Sequence, residues 1–226
     1  EFDPAFGPDT ATTQLLQTDG NVLAKSELLA TLRALEALSN RPDLRVGSTA
    51  SAASQIATAL DPDASTPAAK RRAVERATPT EIDAAVATLS DRPSFRDLLA
   101  DDFNPTGARA SATVSVVTHR VPADVETTGG GGQPGPLTPI QLRARGIVDA
   151  VSPSIRVFGQ GIIAAEFETV ITDSLLLVVP AAATLILFFL IVSYRDPVDL
   201  LLGTLSLALV LVWTFGFLGL SGLPFT

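Results

Sequence analysis

Between Asp173 and Arg195 the chain reads SLLLVVPAAATLILFFLIVSY without a charge, and beyond the short polar turn RDPVD it is apolar again to Thr226. At about 1.5 Å per residue the first stretch makes about 31 Å of helix, the thickness of a bilayer's hydrocarbon core. Its thirteen Leu, Ile, Val and Phe residues each favour the bilayer centre by about a few tenths of a kcal/mol, and no charge opposes them. The second stretch, LLLGTLSLALVLVWTFGFLGLSGLPFT, is of similar quality, with Trp213 inside it and Gly203, Gly216, Gly219 and Gly222 spaced along it. A domain of this size seldom buries two such lengths back to back. The expectation is therefore two membrane helices, 174–194 and 200–220, in a multi-pass protein of the plasma membrane whose first partner is lipid.

Residues 1–173 belong to a different solvent. They hold 22 acidic and 15 basic side chains, whereas 174–226 hold two acids and one arginine. About 160 residues are enough to bury a core without staples. The absence of cysteine removes disulfides and thiolate metal sites. Only Lys25 and Lys70 stand against fourteen arginines in a chain of net charge -8. That acidic, lysine-poor balance fits a halophilic archaeon, and equally a GC-rich genome that favours Arg and Ala. With no basic stripe, nucleic acid is not an expected partner. Methionine is absent, including at position 1, and the apolar run reaches the last residue. The expectation is an excised piece of a longer protein, with a further hydrophobic segment upstream and more sequence beyond Thr226.

Along the soluble part, residues 11–18 (ATTQLLQT) read as a strand, Asp19-Gly20-Asn21 as a turn, and 26–39 as a helix with Leu28, Leu29, Leu32, Leu35 and Leu38 on one face. A short strand at 44–47 leads into an Ala-rich helix, 51–60. Polar helical sequence follows from 67 to 102, broken at Thr78-Pro79 and Asp91-Arg92-Pro93. Thr78-Pro79-Thr80-Glu81 has the capping-box arrangement, and Thr138-Pro139-Ile140-Gln141 repeats it at the start of a helix to 151. Residues 110–121 (ASATVSVVTHRV) alternate and are rich in β-branched side chains, which marks a strand. Residues 127–136 (TTGGGGQPGP) form a flexible linker by composition; the Lys-Ser/Thr ending of a P-loop is missing.

A last strand, 154–158, ends at Gly159-Gln160-Gly161. From Ile162 the pattern is an amphipathic helix, with Ile163, Phe167, Val170 and Ile171 on one side and Glu166, Glu168 and Asp173 off it. No Gly or Pro separates it from the first span, and Pro180 is the first breaker, so one continuous rod is expected. The element order is two βαβ-type halves. It predicts an α+β, ferredoxin-like (βαβ-βαβ) domain over 1–161, with a helical insert at about 62–104, continuing through 162–226 as a connecting helix and a transmembrane hairpin.

Few residues offer chemistry. His119 is the only histidine, beside Arg120, and reads as a surface residue; one imidazole makes neither a metal site nor a Ser-His-acid relay, and no G-x-S-x-G elbow is present. Asp101-Asp102 and Glu166/Glu168 read as solvated charge. Thr184, Ser193, Thr204, Ser206 and Thr214 are the polar handles in the spans, with helix packing as their role. No catalytic, cofactor-binding or metal-binding residue is assigned, no cofactor is expected, and the chain does not read as an enzyme.

From Arg156 onward the features fall in a familiar order. A strand ends in glycine (Arg156-Val157-Phe158-Gly159), and an amphipathic helix ends in Asp173. After a span come the hairpin Tyr194-Arg195-Asp196-Pro197 and a second span closing with Trp213-Thr214-Phe215-Gly216 and Leu220-Ser221-Gly222-Leu223-Pro224. This part resembles the resistance-nodulation-division (RND) superfamily, especially its MmpL-like and archaeal predicted-exporter branch. The likeness covers about the last 70 residues, and the first 155 fit in outline as that family's extracytoplasmic porter domain. It implies a secondary active exporter of hydrophobic or amphipathic cargo, driven by a proton or sodium gradient. On that likeness the second membrane helix is 174–194, the hairpin at Arg195 is cytoplasmic and the third helix is 200–220. Its partners would be the remaining membrane helices of the same protein, with a homo-oligomer left open. The family's coupling acid lies in its fourth helix, beyond Thr226, so no coupling residue transfers to this chain. A Sec-type translocation subunit and a membrane-anchored extracytoplasmic sensor or receptor are the alternatives.

Overall fold

The computed structural model describes residues 11–120, 137–193 and 197–220; the glycine-rich linker, Tyr194 to Asp196 and the segment after Leu220 lie outside them. Four strands, β1 (Ala11–Thr18), β2 (Val46–Ala50), β3 (Ala112–His119) and β4 (Ile155–Phe158), form one sheet in the order β2-β3-β1-β4. Every neighbouring pair is antiparallel, so the fold is mixed α+β. In β1 and β3 every second residue is buried: Thr13, Leu15 and Gln17 on one, Thr113, Ser115, Val117 and His119 on the other. That alternation is the pleat's period of two. It leaves one covered face and one wet face.

Helices α1 (Lys25–Ser39) and α6 (Thr138–Val151) cover the buried face. Ala34, Leu35 and Leu38 of α1 and Ala144 and Val148 of α6 meet Leu15, Val117, Ile155 and Val157 in one core. The N-terminal half of α1 serves a second core. There Leu28 and Leu32 join Ile56 of α2 (Ala52–Leu60), Val74 of α3 (Pro67–Arg76), Val86 and Leu89 of α4 (Pro79–Leu89) and Phe95 of α5 (Pro93–Arg96). The helical insert thus packs with α2 onto α1, and Arg71 bonds Glu36 across α1 and α3 at 2.7 Å. Lys25 Nζ donates to the Glu75 and Ala77 carbonyls at 2.7 and 2.8 Å. A cation at the C-terminus of α3 opposes the helix dipole.

The insert also returns to the sheet. Ala100 N donates to Ala112 O and Val114 N to Leu98 O, beyond the stretch of β3 that pairs with β2. Two short pieces of chain thereby cover one long edge. The second strand begins later than expected from the sequence. Residues 42–44 form a 3-10 turn that Arg45 ends at φ 48°, and pairing runs from Val46 to Ala50. The proline of Pro42-Asp43-Leu44 favours the turn over extended chain.

Beyond β4, α7 (Gln160–Ser193) is an uninterrupted helix of 34 residues and α8 (Pro197–Leu220) a helix of 24. Among the described residues one helix, Gln160–Val192, is long and apolar enough to cross a membrane. The chain divides into two units between Glu166 and Phe167, rather than after residue 161. Ile162 and Ala164 explain the later boundary, since both are buried with the domain.

Among the described residues three carboxylates are held below their usual range. The Thr78 amide and hydroxyl bond Glu81, the Ser111 amide bonds Asp102, and the Arg143 guanidinium bonds Asp43. A carboxylate depressed in the folded state contributes stability that is complete above its unfolded pKa and lost as pH falls through the folded one. The urea midpoint of the full chain in detergent should therefore hold between pH 7 and about pH 5 and fall below about pH 4. Glu81→Gln and Asp102→Asn should each flatten that fall.

Candidate functional site

The passage from sheet to apolar helix is built around Gln141. β4 ends at Phe158, and Gly159 alone separates it from α7. The Gln141 side chain, on α6, is buried between them. Its Nε2 donates to Thr12 O of β1 at 3.1 Å, and its Oε1 accepts from Gly161 N at 2.7 Å. One side chain thus ties the first turn of α7 to the central strand. Both glycines are needed for the approach. A Cβ on Gly159 would lie 2.6 Å from Gln141 Cδ, and one on Gly161 would lie 2.7 Å from Thr138 Cα.

This clamp decides which face of α7 enters the core. With Gly161 turned inward, Ile162 and Ala164 are buried, while Ile163, on the opposite side of a 3.6-residue helix, is exposed. Ile163, Phe167, Val170 and Ile171, the apolar side expected of the amphipathic helix, are all exposed, and the buried positions are Ile162 and Ala164. Glu166 is not free charge, because Arg145 Nη1 donates to it at 2.6 Å.

Further along α7 the large apolar side chains stay uncovered, with Leu176 and Leu177 about three-quarters exposed. A buried soluble helix would show the reverse. In water each forgoes about 1.5–3 kcal/mol of burial, and in hydrocarbon it forgoes nothing. Thr184 donates to Pro180 O at 2.7 Å and Thr214 to Val210 O at 2.8 Å. Each hydroxyl is satisfied within its own helix, which is what a dry surrounding demands.

His119 is not a surface residue; it is fully buried. Its place in β3 follows Thr113, Ser115 and Val117 inward, and its two nitrogens have partners. Nδ1 lies 2.7 Å from Leu44 O, and Nε2 lies 2.8 Å from Thr13 Oγ1. A carbonyl only accepts, so Nδ1 carries the hydrogen that bonds Leu44 O, and Nε2 shares a hydrogen bond with the Thr13 hydroxyl. The imidazole thereby satisfies a carbonyl at the end of the 3-10 turn and a hydroxyl of β1. Asp102 also has a structural task, accepting the Ser111 amide at 3.1 Å. Among the described residues no three His, Cys, Asp or Glu side chains gather as a metal site.

Sequence reasoning missed Gln141. Thr138-Pro139-Ile140-Gln141 has the spacing of a capping box, and the structure corrects that expectation. The residue preceding α6 is Leu137, with no side-chain cap, and Gln141 spends its amide on α7 and β1. Compared with known proteins, the chain matches no family model, no curated protein and no solved structure.

Proposed function

We propose that this chain is the extracytoplasmic porter-type domain of an RND-type secondary active transporter together with its second and third membrane helices. The transporter exports hydrophobic or amphipathic cargo on a proton or sodium gradient. The observation that carries the reading is the short path from β4 through Gly159 into a helix of 34 residues. A domain joined to its span without a linker can pass a displacement to it, where a floppy connection could not. The ferredoxin-like form of the domain is supported by the order β2-β3-β1-β4 with all pairs antiparallel, and by α1 and α6 on one face. The hairpin reading is supported by α8, an apolar helix that starts only a few residues after α7 ends. The resemblance at residues 156–159, 194–197, 213–216 and 220–224 supplies the family.

The test uses the full protein that carries this segment, in proteoliposomes with an imposed pH or sodium gradient. Export of a lipophilic fluorescent cargo should require the gradient and stop with an ionophore. This segment has no cysteine of its own, so in a full-length background cleared of any other cysteine, single replacements here report sidedness. Asp83→Cys should react with an impermeant maleimide in intact cells, and Arg195→Cys only after permeabilisation. Equal labelling of both sinks the hairpin. Correct sidedness with no gradient-driven export across a panel of amphipathic cargo moves the protein to the sensor class.

A further inference from the structure

Among the described residues three helices open on Thr-Pro, and two of them obey the same rule. Thr66 and Thr78 stand just before α3 and α4 in extended backbone, with ψ of 154° and 158°. Their hydroxyls accept the Ala69 and Glu81 amides at 3.2 and 3.3 Å. Proline favours extended backbone in the residue before it and is well suited to the first helical position, so both starts are what local chemistry prefers. Thr138-Pro139 departs from it. There the helix begins one residue early, Thr138 lies inside it, and Leu137 takes the cap position at φ -87° and ψ -17°.

Two local preferences are unmet as a result. The Thr138 hydroxyl is buried without a hydrogen-bond partner among the described residues. Gln141, which would answer it three residues on in a capping box, is extended away to Gly161 and Thr12. The Gln141 amide meanwhile bonds Leu137 O at 3.0 Å. Proteins break such local rules chiefly at functional or strained sites, and here the unmade cap bonds lie within one turn of the bonds made instead.

We propose that the start of α6 is a two-state latch on α7. In the latched state Gln141 holds the first turn of α7 to β1, and the threonine cap is unmade. In the released state Thr138 becomes the residue before the helix and accepts the Gln141 amide. The Gln141 side chain then accepts from the Thr138 amide, and Gly161 N and Thr12 O pass to water. The latch bonds are exchanged for the two bonds of a capping box, so each state offsets much of what the other offers. Release frees the first turn of α7 from the sheet. The purpose of the latch rests on the transport reading, as the control of how the domain grips its span, but its existence does not.

The test is hydrogen exchange at the Gly161 amide, resolved by NMR on the full chain in detergent micelles. Thr138→Val keeps the shape and removes a hydroxyl that only the released state uses. It should slow Gly161 exchange about tenfold, the ordinary worth of a threonine cap. Gln141→Ala should speed it. Thr78→Val is the control, and because Thr78 is an ordinary cap it should speed exchange at the start of α4. If Thr138→Val leaves Gly161 unchanged, there is no released state. If it speeds Gly161, Thr138 is a plain cap; either result overturns the latch. Failure of gradient-driven export with this exchange pattern intact overturns the transport reading alone.

Discussion

His119→Ala should cost about 3–5 kcal/mol in urea unfolding of the full chain, a large share of the roughly 5–15 kcal/mol that holds a domain together. Two effects add. Truncating a fully buried ring leaves a cavity at the end of β3, and core truncations of that size cost about 2–5 kcal/mol. The Leu44 carbonyl and the Thr13 hydroxyl also lose their partner, and a buried polar group left unpaired costs about 1–3 kcal/mol. His119→Phe separates the terms, because it keeps most of the volume and loses both bonds; its loss should be smaller. Thr13→Val, which deletes one bond and almost no volume, should be milder still, at about 1 kcal/mol. A loss under about 1 kcal/mol for His119→Ala would return the residue to the surface.

Leu185→Arg tests the other half of the molecule. In α7 this leucine is exposed with its neighbours Ile186 and Leu187, and no acidic residue occurs between Asp173 and Ser193 to receive a guanidinium. At the centre of a span, exchanging a leucine for an arginine shifts insertion by about 3–4 kcal/mol, several hundredfold in partition. Alkaline extraction of membranes should release a measurable fraction of this variant and none of the parent. Thr184→Val, one residue away, should leave insertion intact, because its hydroxyl is already satisfied by Pro180 O. If Leu185→Arg stays as firmly in the membrane as the parent, the lipid environment of α7 is wrong.

How much was legible follows from how far each feature had to look. The strand at 11–18 and the helix from 79 were readable because alternation and the Thr78/Glu81 box involve neighbours within a few residues. Their boundaries match for that reason. His119 was half legible. The alternation Thr113, Ser115, Val117 points it inward, and its polar type argued for the surface. What settled the matter was the Leu44 carbonyl, 75 positions away, which needs a donor where the chain turns. Gln141 misled in the opposite sense. Its spacing from Thr138 is correct for a cap, yet its partners are Thr12 and Gly161, one of them on the far side of the domain in sequence. Which residues of α7 enter the core was not legible either, since the contact at Gly161 fixes the helix rotation that buries Ile162 and Ala164 and periodicity alone cannot.

Charge-free length is a sum over consecutive residues, and capping is a contact within one turn. Both were therefore determined by the sequence alone: a long apolar helix after an acidic α+β domain, and the starts of α3 and α4. Strand order, the burial of His119 and the grip of Gln141 on α7 were decided only in three dimensions. Each depends on which distant donor meets which distant acceptor, and a buried polar group takes whichever partner the packing brings to it rather than the one nearest along the chain.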